Sequence, residues 1–236
     1  MIFGAPPIVT NGLVLSLDAG NSKSYPGSGT TWSDLSGNRN TGTLTNGPTF
    51  SRNGGGSIVF DGTDDYVDTI GSVSTFSFIQ NTGIYAISAW VKPSVLNKEM
   101  YICGNNSGTA AQKGFYLGTT STDISIVITR GSGTVATLVV NSCFLNTTDW
   151  VNVVVVGNGI TNQFYRNGVI FGASSNTSTL STGDSSFSLG IGFIKNATTT
   201  WLWNGNISNT LIYNRALTAS EIQQNYNALK SRFNLS

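Results

Sequence analysis

Cleavage of a glycosidic bond needs two carboxyl groups facing each other across the substrate, one protonated and one ionised. Glu99 and Glu221 are the only glutamates in the chain. Glu221 stands three residues after Thr218, the spacing of a helix capping box, which accounts for it structurally. Glu99 lies in a Lys-Glu-Met segment with no second carboxylate within reach along the strand. The chain contains no histidine, which removes Ser-His-Asp and Cys-His nucleophilic sites and the common His-ligated metal centres. These absences predict a protein that is not an enzyme and requires no cofactor.

Two other chemistries have residues of the right type. Asp61, Asp64, Asp65 and Asp68 form the one acidic cluster, and carboxylates closely spaced in a loop suit calcium, which takes oxygen ligands. The same residues also read as a turn at Asp61-Gly62 whose other acids face solvent or cap backbone N–H groups. Asp18 and Asp34, flanking an Asn- and Gly-rich loop, are a second source on the same terms. Aromatic rings offer the other chemistry, because a pyranose face stacks on Trp or Tyr while amides and carboxylates meet its hydroxyls. Trp32, Trp201 and Trp203, with Asn204, are candidates for that role. Packing is the competing reading for each, and Trp90 and Trp150, in apolar strands, read as core.

The elements that must position these residues are strands. Leu13, Leu15 and Leu17, then Ile58 and Phe60, then Ile124, Ile126 and Ile128, then Val151, Val153 and Val155 repeat with period two, each set on one strand face. Asn46-Gly47, Asn167-Gly168 and Asn204-Gly205 supply the positive φ that tight hairpins need, and residues 162–171 are the clearest hairpin. Only the C-terminus reads as helix: Thr218 as N-cap, Glu221 in the capping box, a Leu217/Ile222 staple, and an apolar stripe of Ile222, Tyr226, Leu229 and Phe233. The helix is expected over 218–233. Gly/Ser/Thr/Asn-rich loops near 19–57, 104–114 and 173–185 are the expected contacting edges.

Charged residues are 10% of the chain and the formal net charge is +1. With no run of Lys or Arg, nucleic acid is not an expected partner. Residues 1–20 carry no basic leader and the apolar run is broken by Pro6, Pro7, Asn11 and Gly12, so neither a signal peptide nor a membrane span is expected, and synthesis in a cytoplasm follows. Cys103 and Cys143 then read as free thiols, with a sheet-linking bridge as the alternative. Residues 1–236 read as one domain.

Several segments together resemble the laminin-G-like branch of the concanavalin A-like lectin/glucanase superfamily. They are Gly12-Leu-Val-Leu-Ser-Leu-Asp18; Trp32-Ser-Asp-Leu-Ser-Gly-Asn38; Ser57-Ile-Val-Phe-Asp-Gly62 with Asp65-Tyr-Val67, resembling a family hairpin; Ala86 to Lys92; Trp150-Val-Asn-Val-Val with Phe164-Tyr-Arg-Asn-Gly168; and Ile212 to Ile222. The resemblance implies an all-β, antiparallel two-sheet jelly-roll sandwich with one short C-terminal α-helix, binding on a loop-rich rim or concave face. It is similar in kind to domains of tailed-phage virion proteins. That implies a non-enzymatic virion structural protein, a phage head-decoration or fibre subunit on the virion surface. Its expected partners are capsid or other virion proteins, surface glycans, and further copies in a homo-oligomer or symmetric array. A stand-alone carbohydrate-binding lectin or adhesion module, or a receptor-binding tail protein, is the alternative. Met1–Thr10, with Ile2, Phe3, Pro6, Pro7 and Ile8, reads as a docking arm or, equally, as an edge segment packed on its own domain.

Overall fold

The computed structural model describes residues 6–106, 113–120, 124–130, 135–140, 147–175, 183–185, 187–195 and 201–235. In chain order the first strands are β1 (Leu13–Asp18), β2 (Thr31–Trp32), β3 (Gly42–Thr45), β4 (Thr49–Ser51), β5 (Ser57–Asp61), β6 (Tyr66–Thr69), β7 (Ile84–Pro93) and β8 (Met100–Gly104). They continue with β9 (Lys113–Thr119), β10 (Ile124–Arg130), β11 (Val135–Val140), β12 (Val151–Asn158), β13 (Thr161–Arg166), β14 (Val169–Ser175), β15 (Gly190–Ile191) and β16 (Asn204–Tyr213). Two α-helices, α1 (Phe78–Thr82) and α2 (Ala219–Leu229), and two 3₁₀ turns, Asn53–Gly55 and Lys230–Phe233, complete the regular structure of the described residues.

The strands form two antiparallel sheets. One runs β14-β13-β12-β7-β16-β5-β4, and β1 also pairs with β16; the other runs β11-β10-β9-β8-β15-β6-β3-β2. Strand β16 pairs along one edge with β7, from Gly205 to Tyr213. Its other edge is divided: Asn204–Ile207 pair with β5, and Asn209–Tyr213 pair with β1.

The period-two pattern fills the space between the sheets. Leu15, Leu17, Ile58, Phe60, Ile126, Val153 and Val155 are all buried in one cluster with Trp32 and Trp203, and each large apolar side chain so removed from water contributes about 1.5–3 kcal/mol. Strand β12 breaks strict alternation because its opposite face is covered too. Val154 and Val156 join Ala86, Tyr165, Leu211 and Tyr213 beneath Leu217 and Ile222. Further along α2, Trp90 stacks on Tyr226 at 5.6 Å and on Phe233 at 4.1 Å. Trp150 is only half-buried, tilted against Phe233 at 4.7 Å.

The capping box forms as the spacing predicts. Thr218 Oγ1 accepts from the Glu221 N–H, and the Thr218 N–H donates to the Glu221 carboxylate at 2.9 Å. Arg215 grips the same carboxylate at 2.6 and 2.9 Å. The α-helix ends at Leu229 and a 3₁₀ turn over Lys230–Phe233 finishes the stripe. Helix α1 corrects the expectation that only the C-terminus is helical. Its five residues are too few for a period to register, and they are fixed by buried Ile79 and by Gly83 at φ 66°.

Turn chemistry needs three corrections. Asn167-Gly168, at φ 51° and 77°, is the hairpin turn between β13 and β14. Asn46-Gly47 and Asp61-Gly62, however, join strands of different sheets, so neither closes a hairpin. Asn204-Gly205 lies inside β16, where a Cβ on Gly205 would sit 2.3 Å from the Lys92 carbonyl oxygen. Close backbone approach, not chain reversal, requires that glycine.

The N-terminal segment is strapped down as far as it is described. Val9 N–H donates to Asn225 Oδ1 at 2.8 Å, Tyr213 Oη donates to the Val9 carbonyl at 2.9 Å, and Gln224 donates to the Pro7 carbonyl at 2.8 Å. Ile8 packs against both clusters under α2, as the edge-segment reading of these residues expects and the docking-arm reading does not, while Pro6 and Pro7 are exposed. Ile2, Phe3 and Cys143 lie outside the described residues. Cys103 is a free, fully buried thiol whose pKa burial pushes up to about 12. No helix among the described residues is long and apolar enough to cross a membrane.

Candidate functional site

The outward face of the β11-to-β2 sheet carries rings where a polar surface would be the default. Val67 belongs to the core, so Tyr66 and Asp68 beside it point outward. The register continues that outward line across four further strands: Thr43 opposite Asp68, Asp68 opposite Gly190, Gly190 opposite Gly104, and Gly104 opposite Tyr116. Directly opposed residues share a face. Gly190 leaves room for a ring, since a Cβ there would come within 2.4 Å of the Phe193 ring, while a Cβ on Gly104 would stand 2.6 Å from the Phe115 carbonyl oxygen and 2.7 Å from the Ile194 and Tyr116 side chains. Phe193 and Tyr66, both half-buried, pair with centroids 4.2 Å apart. Tyr101 meets Tyr116 at 4.8 Å and Trp201 at 5.9 Å, both edge-on, and is itself buried beneath them. Burial raises the pKa of Tyr101 and Tyr116, and the exposed Glu99 nearby adds to both. Their hydroxyls therefore stay protonated at neutral pH.

Polar groups accompany the rings. Lys195 Nζ lies 2.8 Å from Asp68 Oδ2 and donates to Ser188 Oγ at 2.7 Å, while Ser188 Oγ donates to Asp68 Oδ1 at 2.9 Å. Asp68 is thereby ion-paired on the sheet face and does not join the other three acids, which corrects its place in the cluster.

Those three come together in the crossover from β5 to β6. One carboxylate oxygen from each of Asp61, Asp64 and Asp65 lies within 4.8 Å of the others. Asp61 Oδ1 accepts from Thr63 N–H at 2.7 Å and Asp64 N–H at 3.4 Å, and these bonds, Thr63 first, hold its pKa down. Asp65 accepts from Asp61 N–H at 3.0 Å, yet desolvation, reinforced by the neighbouring carboxylates, raises its pKa. Asn46 and Asn204 brace the loop by donating to the Asp64 and Asp61 carbonyls, each at 2.9 Å. Asn204 thus supports the acidic loop. Three carboxylates with no ion-pair partner among the described residues suit a hard cation, and calcium, if bound, would be held by Asp61, Asp64 and Asp65.

The tryptophans divide. Trp32 and Trp203 are both 0% exposed between the sheets, so no sugar ring reaches either, and their assignment to a sugar surface is corrected to core packing. Trp201 is half-exposed on the aromatic face. Asp18 is held by Arg232 at 2.8 and 2.9 Å, and Asp34 accepts backbone N–H groups of Ser16, Ser36 and Asn40 at 2.9 Å each. Both are structural. Tyr66, Phe193, Ser188 and Lys195 escape a sequence reading. Tyr66 alone carried a signal, an aromatic out of phase with core Val67.

The concanavalin A-like lectin/glucanases superfamily matches residues 61–223, more than half of the chain. No curated protein matches the sequence. Among solved structures, domain 4 of AbnA, an extracellular arabinanase from Geobacillus stearothermophilus in complex with arabinotriose, superposes with a TM-score of 0.64 at 18% identity, over 91% of this chain and 98% of that one. The binding domain of Paraclostridial Mosquitocidal Protein 1 gives 0.67 at 16% identity, over 93% and 52%. The binding domain of botulinum neurotoxin DC in complex with SialylT gives 0.67 at 13%, over 93% and 52%. This chain spans about half the length of those two toxin domains, and at such identities the likeness is one of fold.

Proposed function

The chain belongs to the concanavalin A-like lectin/glucanase superfamily, and from that premise we propose that it is a non-enzymatic glycan-binding module. The observation that carries this reading is the Tyr66–Phe193 pair, lying over Gly190 beside the Asp68–Lys195–Ser188 network. A half-exposed ring pair offers a stacking surface to the C–H face of a sugar, and the adjoining carboxylate, ammonium and hydroxyl meet its hydroxyls. Trp201 extends the same face. Calcium at Asp61, Asp64 and Asp65 would fix the loop that leads directly into Tyr66, which makes it a support for the face. A sandwich domain in complex with arabinotriose and a toxin binding domain in complex with SialylT support the reading at the level of fold.

The setting we propose is the surface of a virion, as a head-decoration or fibre subunit bound to capsid or other virion proteins. The low charge of the chain, 10% of residues, and its Ser/Thr/Asn/Gly-rich loops support that setting. Glycan-array binding by the wild-type chain, reduced by Phe193→Ala with the melting temperature nearly unchanged, is the expected result. Equal binding by both proteins overturns the face as the site. Particle proteomics joined to cryo-electron microscopy tests the setting, which fails if the chain is absent from purified virions.

A further inference from the structure

Strand β5 begins at Ser57 and ends at Asp61, so its two ends lie about 13 Å apart. At the end remote from the acidic loop, Gly55 and Gly56 face the loop from Ala19 to Gly27 across an open cleft of about 430 Å3. That is within the range of about 300–1,000 Å3 typical of small-ligand sites. Three walls of different chemistry meet there.

The first wall is peptide. A Cβ on Gly20 would stand 2.2 Å from the Gly55 carbonyl oxygen, and one on Gly56 2.7 Å from the Gly20 Cα. The two loops therefore touch backbone to backbone, with the Arg232 side chain packed against Gly20 and Gly55. The second wall is aromatic. Phe50, half-buried, tilts on Tyr25 at 5.4 Å, and the Tyr25 hydroxyl is committed to the Gly29 carbonyl at 2.7 Å. A Cβ on Gly27 would meet the Phe50 ring edge at 3.4 Å, so glycine keeps that ring accessible. The third is cationic. Arg52 lines the cleft, is exposed, and enters none of the ion pairs or side-chain hydrogen bonds formed among the described residues. Asp18, at the end of the strand that leads into the Ala19–Gly27 loop, is already neutralised by Arg232.

We propose that this cleft is a second binding site, distinct from the aromatic sheet face, that takes a carboxylate-bearing sugar: a hexuronate residue of an acidic polysaccharide. The C–H face of the ring lies on Phe50. The carboxylate pairs with the planar guanidinium of Arg52, whose fork of N–H donors matches its two oxygens. Ring hydroxyls find the carbonyls of Gly20 and Gly55, since the Gly20 N–H is given to Asp18 and the Gly56 carbonyl to Ser208. A neutral sugar would leave the guanidinium unused, and a phosphate group lacks the C–H face that the ring offers to meet.

The test uses the full chain with trigalacturonate and its neutral counterpart galactotriose as probes, read by isothermal titration calorimetry. Trigalacturonate binds wild type, and Arg52→Gln weakens it about tenfold or more, the loss of one charge-assisted pair. Arg52→Lys, which keeps charge but not the fork, falls between the two. Because Arg52 is exposed and unpaired, its variants melt with wild type. Phe193→Ala, on the other face, leaves trigalacturonate binding unchanged even if it abolishes binding of the sheet-face glycan, so the two readings fail separately. Absence of uronate binding by wild type, equal affinity of Arg52→Gln, equal affinity for galactotriose, or loss of uronate binding in Phe193→Ala each overturns the proposal.

Discussion

Replacing Trp32 with alanine separates a packing ring from a sugar platform. The side chain is 0% exposed in the inter-sheet cluster, on the short strand β2 paired with β3. Removing a buried Trp to Ala costs about 3–5 kcal/mol, because the lost transfer energy is compounded by the cavity left behind. At about 2–4 °C per kcal/mol for a chain of this size, the melting temperature should fall by roughly 6–20 °C. The indole N–H adds a second arm: Trp32 Nε1 is buried without a hydrogen-bond partner among the described residues. Trp32→Phe deletes that unpaired donor, whose desolvation costs about 1–3 kcal/mol, and so offsets much of the lost volume. The expected order of melting temperatures is wild type, then Phe close behind, then Ala well below. Circular dichroism melts supply this order, and glycan binding measured well below the Ala midpoint should be retained. A Trp32→Ala protein that melts within about 2 °C of wild type and loses glycan binding would show that the ring works at the surface, and the argument from burial would fall.

Other outcomes follow from the site and its supports. The carboxyl of Glu221 is held down to about 2, first by the Arg215 hydrogen bonds and then by the Thr218 N–H. A depressed carboxylate stabilises the fold above its unfolded value and loses that contribution as pH falls from about 4.5 toward 2. Glu221→Gln should cost about 1 kcal/mol at neutral pH and flatten the acid limb of a melting-temperature profile; an unchanged limb refutes the assignment. Asp65 has the opposite sign: its raised pKa means that ionisation weakens the fold as pH rises. Millimolar calcium should therefore raise the melting temperature near neutral pH and much less near pH 3, where Asp65, with its raised pKa, is protonated and the cluster has lost that charge. Asp64→Asn should abolish the gain, and identical melts in calcium and in chelator would exclude the cation. In a Cys143→Ser background, Cys103 should resist thiol reagents until the chain unfolds, as burial and a pKa of about 12 require; rapid native labelling would contradict that.

The sheets were legible where apolar and polar residues alternate along a strand, even where the polar ones, such as Ser16 and Ser125, are themselves buried. Leu15 and Leu17, or Ile126 and Ile128, alternate because their neighbours face away from the core. Strand β12 hid its second buried face, since Val154 and Val156 depend on a helix some 65 residues later in the chain. The hairpin at Asn167-Gly168 was readable and the crossovers at Asn46-Gly47 and Asp61-Gly62 were not, for one reason. Turn residues encode a local backbone angle, whereas the sheet that receives the next strand is decided by long-range pairing. Site residues followed the same division. Trp32 stands among polar neighbours yet is drawn inside by the face its strand presents. Phe193 and Lys195 acquire meaning only when β15 sets Gly190 between Asp68 and Gly104.

The divided edge of β16 has a mechanical consequence. Leu13 of β1 lies opposite Tyr213, so the chain enters β1 and leaves β16 at the same end of one ladder. A pull on the two termini would load that ladder in a peeling geometry, rung by rung, instead of shearing its bonds together. The hydrogen bonds of Val9 to Asn225 and Tyr213 stand ahead of the first rung. They act as a latch: tension must break that clasp before it reaches the sheet, and a subunit tethered by both ends would hold firm up to that force and then unravel from β1.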